Sequence, residues 1–558
     1  MKTIAPRILV PCVLAAAFLT TTDTATAQEL KGRVWSHSKH GIKLTIPEGY
    51  ATVPLQVDEK WIAAKFLSDK SYLSKGKDWN REHRALMRII IFTEKAKKGS
   101  ATEVHETEGT TFIGIGAVPY QGYRDYVKRH RRGFFFSKED EKKVGGQDAL
   151  MCEVEIHKSE PKLHLYSVVI RQPTFEMAVE FECLEDRLDK VRKHVLKCLN
   201  SIRIKAPAVE ASAPITHKGS KRTSTRLWTA FRSEWRKRPS KEREEIRKDM
   251  ERQHHAATRK ATPDDWTITE SKHFMVVSHA SPKFTKQMTD GAELFYKWCE
   301  KEFGSLGEDY VRRPVLRLCK DRDEYSAFHF DSSNSTGWSL VGADREIGTY
   351  YDNYNGSSGR DVSILFSGIL QHFLQERDPY IVTYTPYWLT WSLNDYVSEC
   401  YVKGRKLDFR VEDYARDGAR DLHRQGKLPK LQKLLSMTES EFTKLRSANH
   451  EVSYASSQAL RYVIGPGSRD KAFKKFIKRY FQSAIEVGEK NDNSKGMTFK
   501  AAETEKEEEE RAKAYATQSK ERAKRLQNEI NEKMLSGIKD KSWAKHEKAF
   551  AKFVKKGK

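Results

Sequence analysis

Two stretches decide how this chain is read: Ser363-Ile-Leu-Phe-Ser-Gly-Ile-Leu-Gln-His-Phe-Leu374 and, a short interval later, Thr385-Pro-Tyr-Trp-Leu-Thr-Trp-Ser-Leu-Asn-Asp-Tyr396. The first is almost unbroken apolar sequence and the second is rich in aromatics. Their lengths and composition predict helices over 361–376 and 386–401. His372 is the imidazole of the first stretch, with Glu376 one turn later. In the second, Asp395 lies one turn beyond Trp391.

The pair resembles the centre of zinc peptidases of the gluzincin, or peptidase MA-like, type. In that family one helix carries HExxH, and a following helix supplies a glutamate about 19 residues later, often within WLxEGLAEY. The spacing serves chemistry. Two histidines one turn apart grip zinc from one helical face, the glutamate between them activates water, and the second helix completes the ligand set.

On this register Gly368 stands at the first histidine, Ile369 at the glutamate, His372 at the second histidine and Trp391 at the third ligand. One imidazole cannot hold a zinc that needs three protein ligands and water, or four. No general base stands where one is required. The resemblance therefore implies a degenerate gluzincin-like domain over 263–485 with no metal, no cofactor and no catalytic residue.

Two rescues are open. His372, Glu376 and Asp395 together would give a relocated metal-dependent hydrolase site. His450-Glu451-Val-Ser-Tyr454 mimics HExxH, but its surroundings read as a packing helix. Without a metal, His372 reads as a hydrogen-bonded core histidine. Trp388 and Leu389 read as core anchors. Tyr351, Tyr387 and Trp391 are candidates to line the old cleft and stack on a polypeptide or glycan.

Around this pair the texture is globular. Phe274–Ser278 and Pro314–Cys319 read as strands, Lys283–Phe303 as an amphipathic helix, and Gly348–Tyr351 as a third strand, at the edge where such domains line their substrate. Beyond 401 the chain reads as mainly helical, with Thr438-Glu-Ser-Glu441 fitting a capping box.

Upstream, 31–205 reads as a separate α+β module. Ile42, Leu44 and Ile46 alternate before Pro47-Glu48-Gly49, Met87–Phe92 is an apolar run, and Leu150–Ile156 alternates again. Phe175–Cys183 is apolar at every second position. A helical face of Leu188, Val191, Val195, Cys198 and Leu199 follows, and Ile202 and Ile204 close the module. This order, ending in Ser-Ile-Arg-Ile, resembles the PsbP-like fold. Such domains are mostly binding or assembly modules. The fold class expected is α+β and multidomain: a PsbP-like sandwich followed by a mainly helical gluzincin-like fold with a small β subdomain.

The remaining segments are charged. Residues 206–262 read as a basic linker or helix carrying Trp228, Phe231 and Trp235, with His254 and His255 on its surface. Residues 486–558 read as a solvated helical tail with 15 Lys plus Arg against five Asp plus Glu from Arg511 on. Leu526, Ile530, Met534 and Ile538 repeat every fourth residue there, enough for one docked helix. With 101 basic against 77 acidic residues overall, polyanion contact through linker and tail is expected as a separable property.

Lys2 and Arg7 precede an apolar run from Ile8 to Leu19, and Ala25-Thr26-Ala27 suits a signal peptidase. The expectation is a cleavable signal peptide over 1–27, cut after Ala27, and a secreted, periplasmic or envelope protein with no integral membrane span. Six cysteines remain downstream, none in a CxxC arrangement. If one pair is stapled, Cys183 with Cys198 is favoured. GxSxG, P-loop and GxGxxG signatures are absent. The function expected is an exported, non-catalytic binding or scaffold protein with an unknown polypeptide or glycan ligand.

Overall fold

The computed structural model describes residues 28–55, 61–74, 82–92, 102–107, 110–115, 122–130, 133–157, 162–205, 237–328, 339–341, 346–351, 362–410, 413–491 and 505–557. The expected signal peptide over 1–27, linker residues 206–236 with their three aromatics, and most of the loop after Lys490 lie outside them. The protein is mixed α and β and multidomain, and its described residues divide mainly into a unit within 28–205 and a unit within 237–557.

The first unit holds two sheets. One is β1 (Gln28–Lys31), β2 (Val34–His37), β3 (Ile42–Thr45) and β13 (Arg203–Ile204). The other contains β4 (Tyr50–Val53), β5 (Ile62–Leu73), β6 (Glu82–Phe92), β9 (Phe134–Val144), β10 (Gln147–Ile156), β11 (Leu163–Arg171) and β12 (Glu176–Leu184), in the order β4-β5-β6-β12-β11-β10-β9. A hairpin that is not part of this unit joins β7 (Thr102–Thr107) to β8 (Thr110–Ile115). Two helices lie in this unit, α1 (Tyr123–His130) and α2 (Leu188–Asn200).

The alternation of β12 turns Met177, Val179, Phe181 and Cys183 into a core shared with Val191, Val195, Cys198 and Leu199 of α2. Alternation alone would put the intervening glutamates in water. They are not there. Glu180 is 0% exposed and Glu182 7%. The Arg88 guanidinium on β6 donates to both, at 2.7 and 3.1 Å. The Tyr123 hydroxyl on α1 adds a 2.7 Å bond to Glu180 and contacts Ser167. Both faces of the central strands are thus covered, one by apolar packing and the other by paired charges. The strand β9, FFFSKEDEKKV, escapes a periodicity search because it is an edge strand whose charges discourage further pairing.

The six cysteines among the described residues are buried, free thiols. The favoured Cys183–Cys198 staple is not formed. Both sit in the first unit's core, where burial pushes each thiol up to about 12.

In the second unit a five-stranded sheet has the order β14-β15-β16-β18-β17, from β14 (Thr267–Glu270), β15 (Met275–Ser278), β16 (Val315–Cys319), β17 (Ser339–Val341) and β18 (Glu346–Tyr350). The inner strands are parallel and both outer ones antiparallel to their neighbours. This corrects the expectation for Gly348–Tyr351. That strand lies between β16 and β17, and the edge is β17.

The helices of this unit are α3 (Ser240–Ala261), α4 (Pro282–Phe303), α5 (Arg322–Phe328), α6 (Ser363–Arg377), α7 (Pro379–Tyr384), α8 (Tyr387–Ser398), α9 (Asp413–Arg424), α10 (Leu431–Ser436), α11 (Glu439–Ala448), α12 (Glu451–Ile464), α13 (Phe476–Lys490), α14 (Glu505–Leu535) and α15 (Asp540–Lys556). Ser281 caps α4 and the Thr438–Glu441 capping box opens α11. The helix expected to reach 401 stops at Ser398, and Cys400–Lys403 (β19) pairs with Lys406–Phe409 (β20) instead. Close packing of α4 on the start of α6 requires Gly291, where a Cβ would fall 2.2 Å from Val362 Cγ1.

Two charged segments expected in solvent are docked. Leu526, Ile530 and Met534 of α14, Ile538, and Trp543, Phe550 and Val554 of α15 share one core with α4, α6 and α8. Glu547 of α15 accepts from the backbone N–H groups of Leu431 and Gln432, capping α10. Helix α3 docks by a polar face: Arg247, Glu251, His254, His255 and Thr258 are buried. Its two histidines are therefore not surface residues, and His255 Nε2 meets the Arg313 carbonyl at 3.0 Å.

Candidate functional site

Helix α6 is mostly apolar and nearly all of its residues are buried, as a helix of that composition requires. Gly368 is buried, and Ile369, His372 and Phe373 are fully so. The aliphatic side chain at the expected general-base position is core. Helix α8 packs beside α6, with Trp388 and Leu389 completely buried and Tyr387 and Trp391 half-buried.

His372 Nε2 lies 2.8 Å from the Arg312 carbonyl oxygen. A carbonyl only accepts, so this nitrogen carries the proton and the lone pair of the neutral ring lies on Nδ1. One turn on, Glu376 is enclosed by donors. Arg312 contributes its backbone N at 3.3 Å, Nε at 3.0 Å and Nη2 at 2.9 Å. Arg247 Nη2, from α3, reaches Glu376 Oε2 at 2.6 Å and its carbonyl at 2.8 Å. Burial works to raise this carboxyl, but the two guanidiniums outweigh it and hold it well below the usual carboxylate range.

A second carboxylate of α3 repeats the device. Glu251 accepts from Tyr310 Oη at 2.7 Å, Arg313 N at 2.6 Å and Arg313 Nε at 2.7 Å. The polar face of α3 thus binds the segment Tyr310–Arg313, which in turn holds His372 and Glu376.

The relocated-site expectation names His372, Glu376 and Asp395. His372 and Glu376 are neighbours, but both are committed to Arg312. Asp395 is half-buried on α8. Among the described residues, no group of three or more His, Cys, Asp and Glu side chains is placed to share a metal ion.

The aromatics divide. Tyr387 and Trp391 lie 6.0 Å apart, with the Arg446 guanidinium 4.0 Å over the Trp391 ring and Phe442 edge-on to Tyr387 at 5.7 Å. Tyr351 is engaged with Phe284, edge-on at 5.1 Å. Tyr380 and Tyr384 stack on one another in the core. His450 is the residue before α12, whose Tyr454 ring it meets edge-on at 5.3 Å. What the α8–α11 face offers is a partly exposed aromatic pair with a cation over one ring, suited to flat or anionic groups. Arg247, Arg312 and Arg446 went unread in the sequence, because a lone arginine carries no spacing signal.

No family model and no curated protein matches this chain. Among solved structures, it is similar to cyanobacterial PsbP (CyanoP) from Synechocystis sp. PCC 6803, with 14% identity, 31% of this chain and 91% of that chain covered, and a TM-score of 0.20. LpqN, involved in cell envelope biogenesis of Mycobacterium tuberculosis, is 13% identical, with 29% and 83% covered and a TM-score of 0.19. A Bacteroides thetaiotaomicron VPI-5482 protein is 7% identical over 67% of this chain and 84% of its own, with a TM-score of 0.17. Likeness at this level carries no argument about activity. No helix among the described residues is long and apolar enough to cross a membrane.

Proposed function

We propose that this chain is an exported, non-catalytic binding or scaffold protein of the cell envelope or exterior, whose 263–485 region keeps a gluzincin-like helical frame without its metal chemistry. The observation that carries the reading is the commitment of the two remaining polar groups. His372 donates its Nε2 proton to Arg312, and Glu376 is neutralised by Arg247 and Arg312. Ile369, fully buried, fills the base position with hydrocarbon. A frame of this kind holds helices in place and presents Tyr387, Trp391 and Arg446 to a polypeptide or glycan. Polyanion contact through the basic segments is a second component, since it requires surface charge and no cleft.

The test is metal content, measured by elemental analysis after dialysis against zinc-containing buffer. Less than about 0.1 zinc per chain is expected. About one zinc per chain, lost on His372→Ala, would overturn the reading in favour of a hydrolase using His372, Glu376 and Asp395. Replacing Gly368→His, Ile369→Glu and Trp391→Glu together checks the register. No zinc uptake by a folded triple variant would remove the gluzincin-like frame while leaving the non-catalytic reading standing.

A further inference from the structure

A cavity of about 980 Å³ opens where the segment 470–475 and the start of α13 meet the corner between α14 and α15. Seven lysines and one arginine line it, against the single carboxylate of Asp470. Asp470 is itself engaged by His546 Nε2 at 3.1 Å and lies 3.9 Å from Lys545, and Lys533 pairs with Glu486. Arg479 donates to the Ala472 carbonyl at 2.9 Å. Five exposed lysines, Lys471, Lys474, Lys475, Lys539 and Lys541, have no ion-pair partner among the described residues.

Local chemistry makes this concentration of charge expensive. Two long helices, α13 and α15, begin at the rim, and their first-turn N–H groups and dipoles already place positive charge there. Such ends usually carry Ser, Thr, Asp or Asn as caps. Here the N-cap residues are Lys475 and Lys539, and neither gives a side-chain cap. Lys475 is also the one non-glycine residue at positive φ, 53°, among the described residues, in the region that L side chains avoid. Neighbouring cations repel one another, so this corner is arranged against its own stability. A local rule broken in several ways at one place marks a functional position.

The floor is apolar, from Ala472, Met534, Gly537 and Ile538, and no aromatic side chain lines the cavity. Nucleic-acid bases would find no stacking platform there. The volume falls at the upper end of small-molecule sites, roughly 300–1,000 Å³.

We propose that this corner binds a compact anion carrying several closely spaced phosphate groups, whether an inorganic polyphosphate chain or a multiply phosphorylated small molecule. The phosphates bridge Lys474 and Lys475 at the start of α13 to Lys539 and Lys541 at the start of α15. The site gives the polyanion contact proposed above a place. It uses no residue of α6 or α8, so its failure would leave the non-catalytic reading untouched.

The experiment is calorimetric titration of the full chain with tripolyphosphate and, in a second arm, with inositol hexakisphosphate. The tighter arm identifies the source of the phosphates. Lys474→Glu, Lys539→Glu and Lys541→Glu together should weaken binding by at least about a hundredfold, and wild-type affinity should fall steeply between about 50 and 200 mM salt. Lys475→Gly, which suits the backbone while removing one charge, should weaken it severalfold and keeps the test open if the triple variant does not fold. The control reverses three exposed lysines of α4, Lys283, Lys297 and Lys301. Equal weakening in the control would reduce the effect to net charge and overturn the site. So would binding of neither probe, or a DNA duplex that displaces both and shows the same dependence on Lys474, Lys539 and Lys541.

Discussion

Arg247 Nη2 and Glu376 Oε2 meet at 2.6 Å across 129 residues of sequence. With Arg312 they form a buried arginine–glutamate–arginine triad that fastens α3 to α6 behind His372. Removing the carboxylate leaves two guanidiniums facing each other in low dielectric, which costs about 3–5 kcal/mol. Glu376→Ala should lower the stability of the second unit by that amount in chemical denaturation, and Arg247→Ala, which leaves the Arg312–Glu376 pair, by less. A change under about 1 kcal/mol in both would mean that the triad is open to water.

Acid should probe the same carboxylate. Its pKa is depressed in the folded state from 4.5, chiefly by Arg312 and Arg247 acting against burial. The stabilisation it brings is therefore complete above about pH 4.5 and is lost as pH falls toward the folded value. Glu376→Gln should be less stable than wild type at neutral pH, and the gap should narrow on acidification. A gap that holds constant from pH 6 to pH 3 would contradict this.

In the first unit, the Tyr123 hydroxyl donates to the fully buried Glu180 at 2.7 Å. Tyr123→Phe keeps the ring and removes one hydrogen bond to a charged acceptor, so a loss of about 1.5–3 kcal/mol is expected. Arg88→Met should cost more, because it removes a buried cation from both Glu180 and Glu182. Equilibrium unfolding of the two variants should rank them in that order.

The tail is predicted to be structural in its final turns. Leu526→Ala or Phe550→Ala should destabilise the second unit by about 2–5 kcal/mol, as large-to-small changes in a packed core do. Deleting 526–558 should expose apolar surface on α13 and α10 and give an aggregating or dye-binding product. A truncated protein with unchanged thermal stability would refute the docking.

Thiol chemistry gives a check that needs no mutation. Cys183 and Cys198, each pushed up to about 12 by burial, should resist alkylation in the native protein and react after denaturation without any reductant. A peptide linked through Cys183 and Cys198 in unreduced digests would restore the disulfide reading.

Much of the secondary structure was legible because apolar periodicity is local. Phe175–Cys183 and the face Leu188–Leu199 became β12 and α2, and Lys283–Phe303 became α4 within a residue. Strands whose side chains break that rhythm were missed, as with β9 and β17. Of the candidate site, the residue types at Gly368, Ile369 and Trp391 could be read directly. The partners of His372 and Glu376 could not, because they come from 60 and more residues away.

What the sequence determined by itself was the inventory: which residue types occupy which helical and strand positions. Tertiary structure alone decided the fate of the charges. Arg247, Glu251, His254 and His255 read as a solvated helix face, and Glu180 and Glu182 as the wet side of a strand, because a charged residue is normally exposed unless paired. Pairing is a relation between distant residues, and it leaves no period in the chain. The same reason hid the docking of α14 and α15, whose surface is basic but whose apolar stripe found a core already built by α6, α8 and α13.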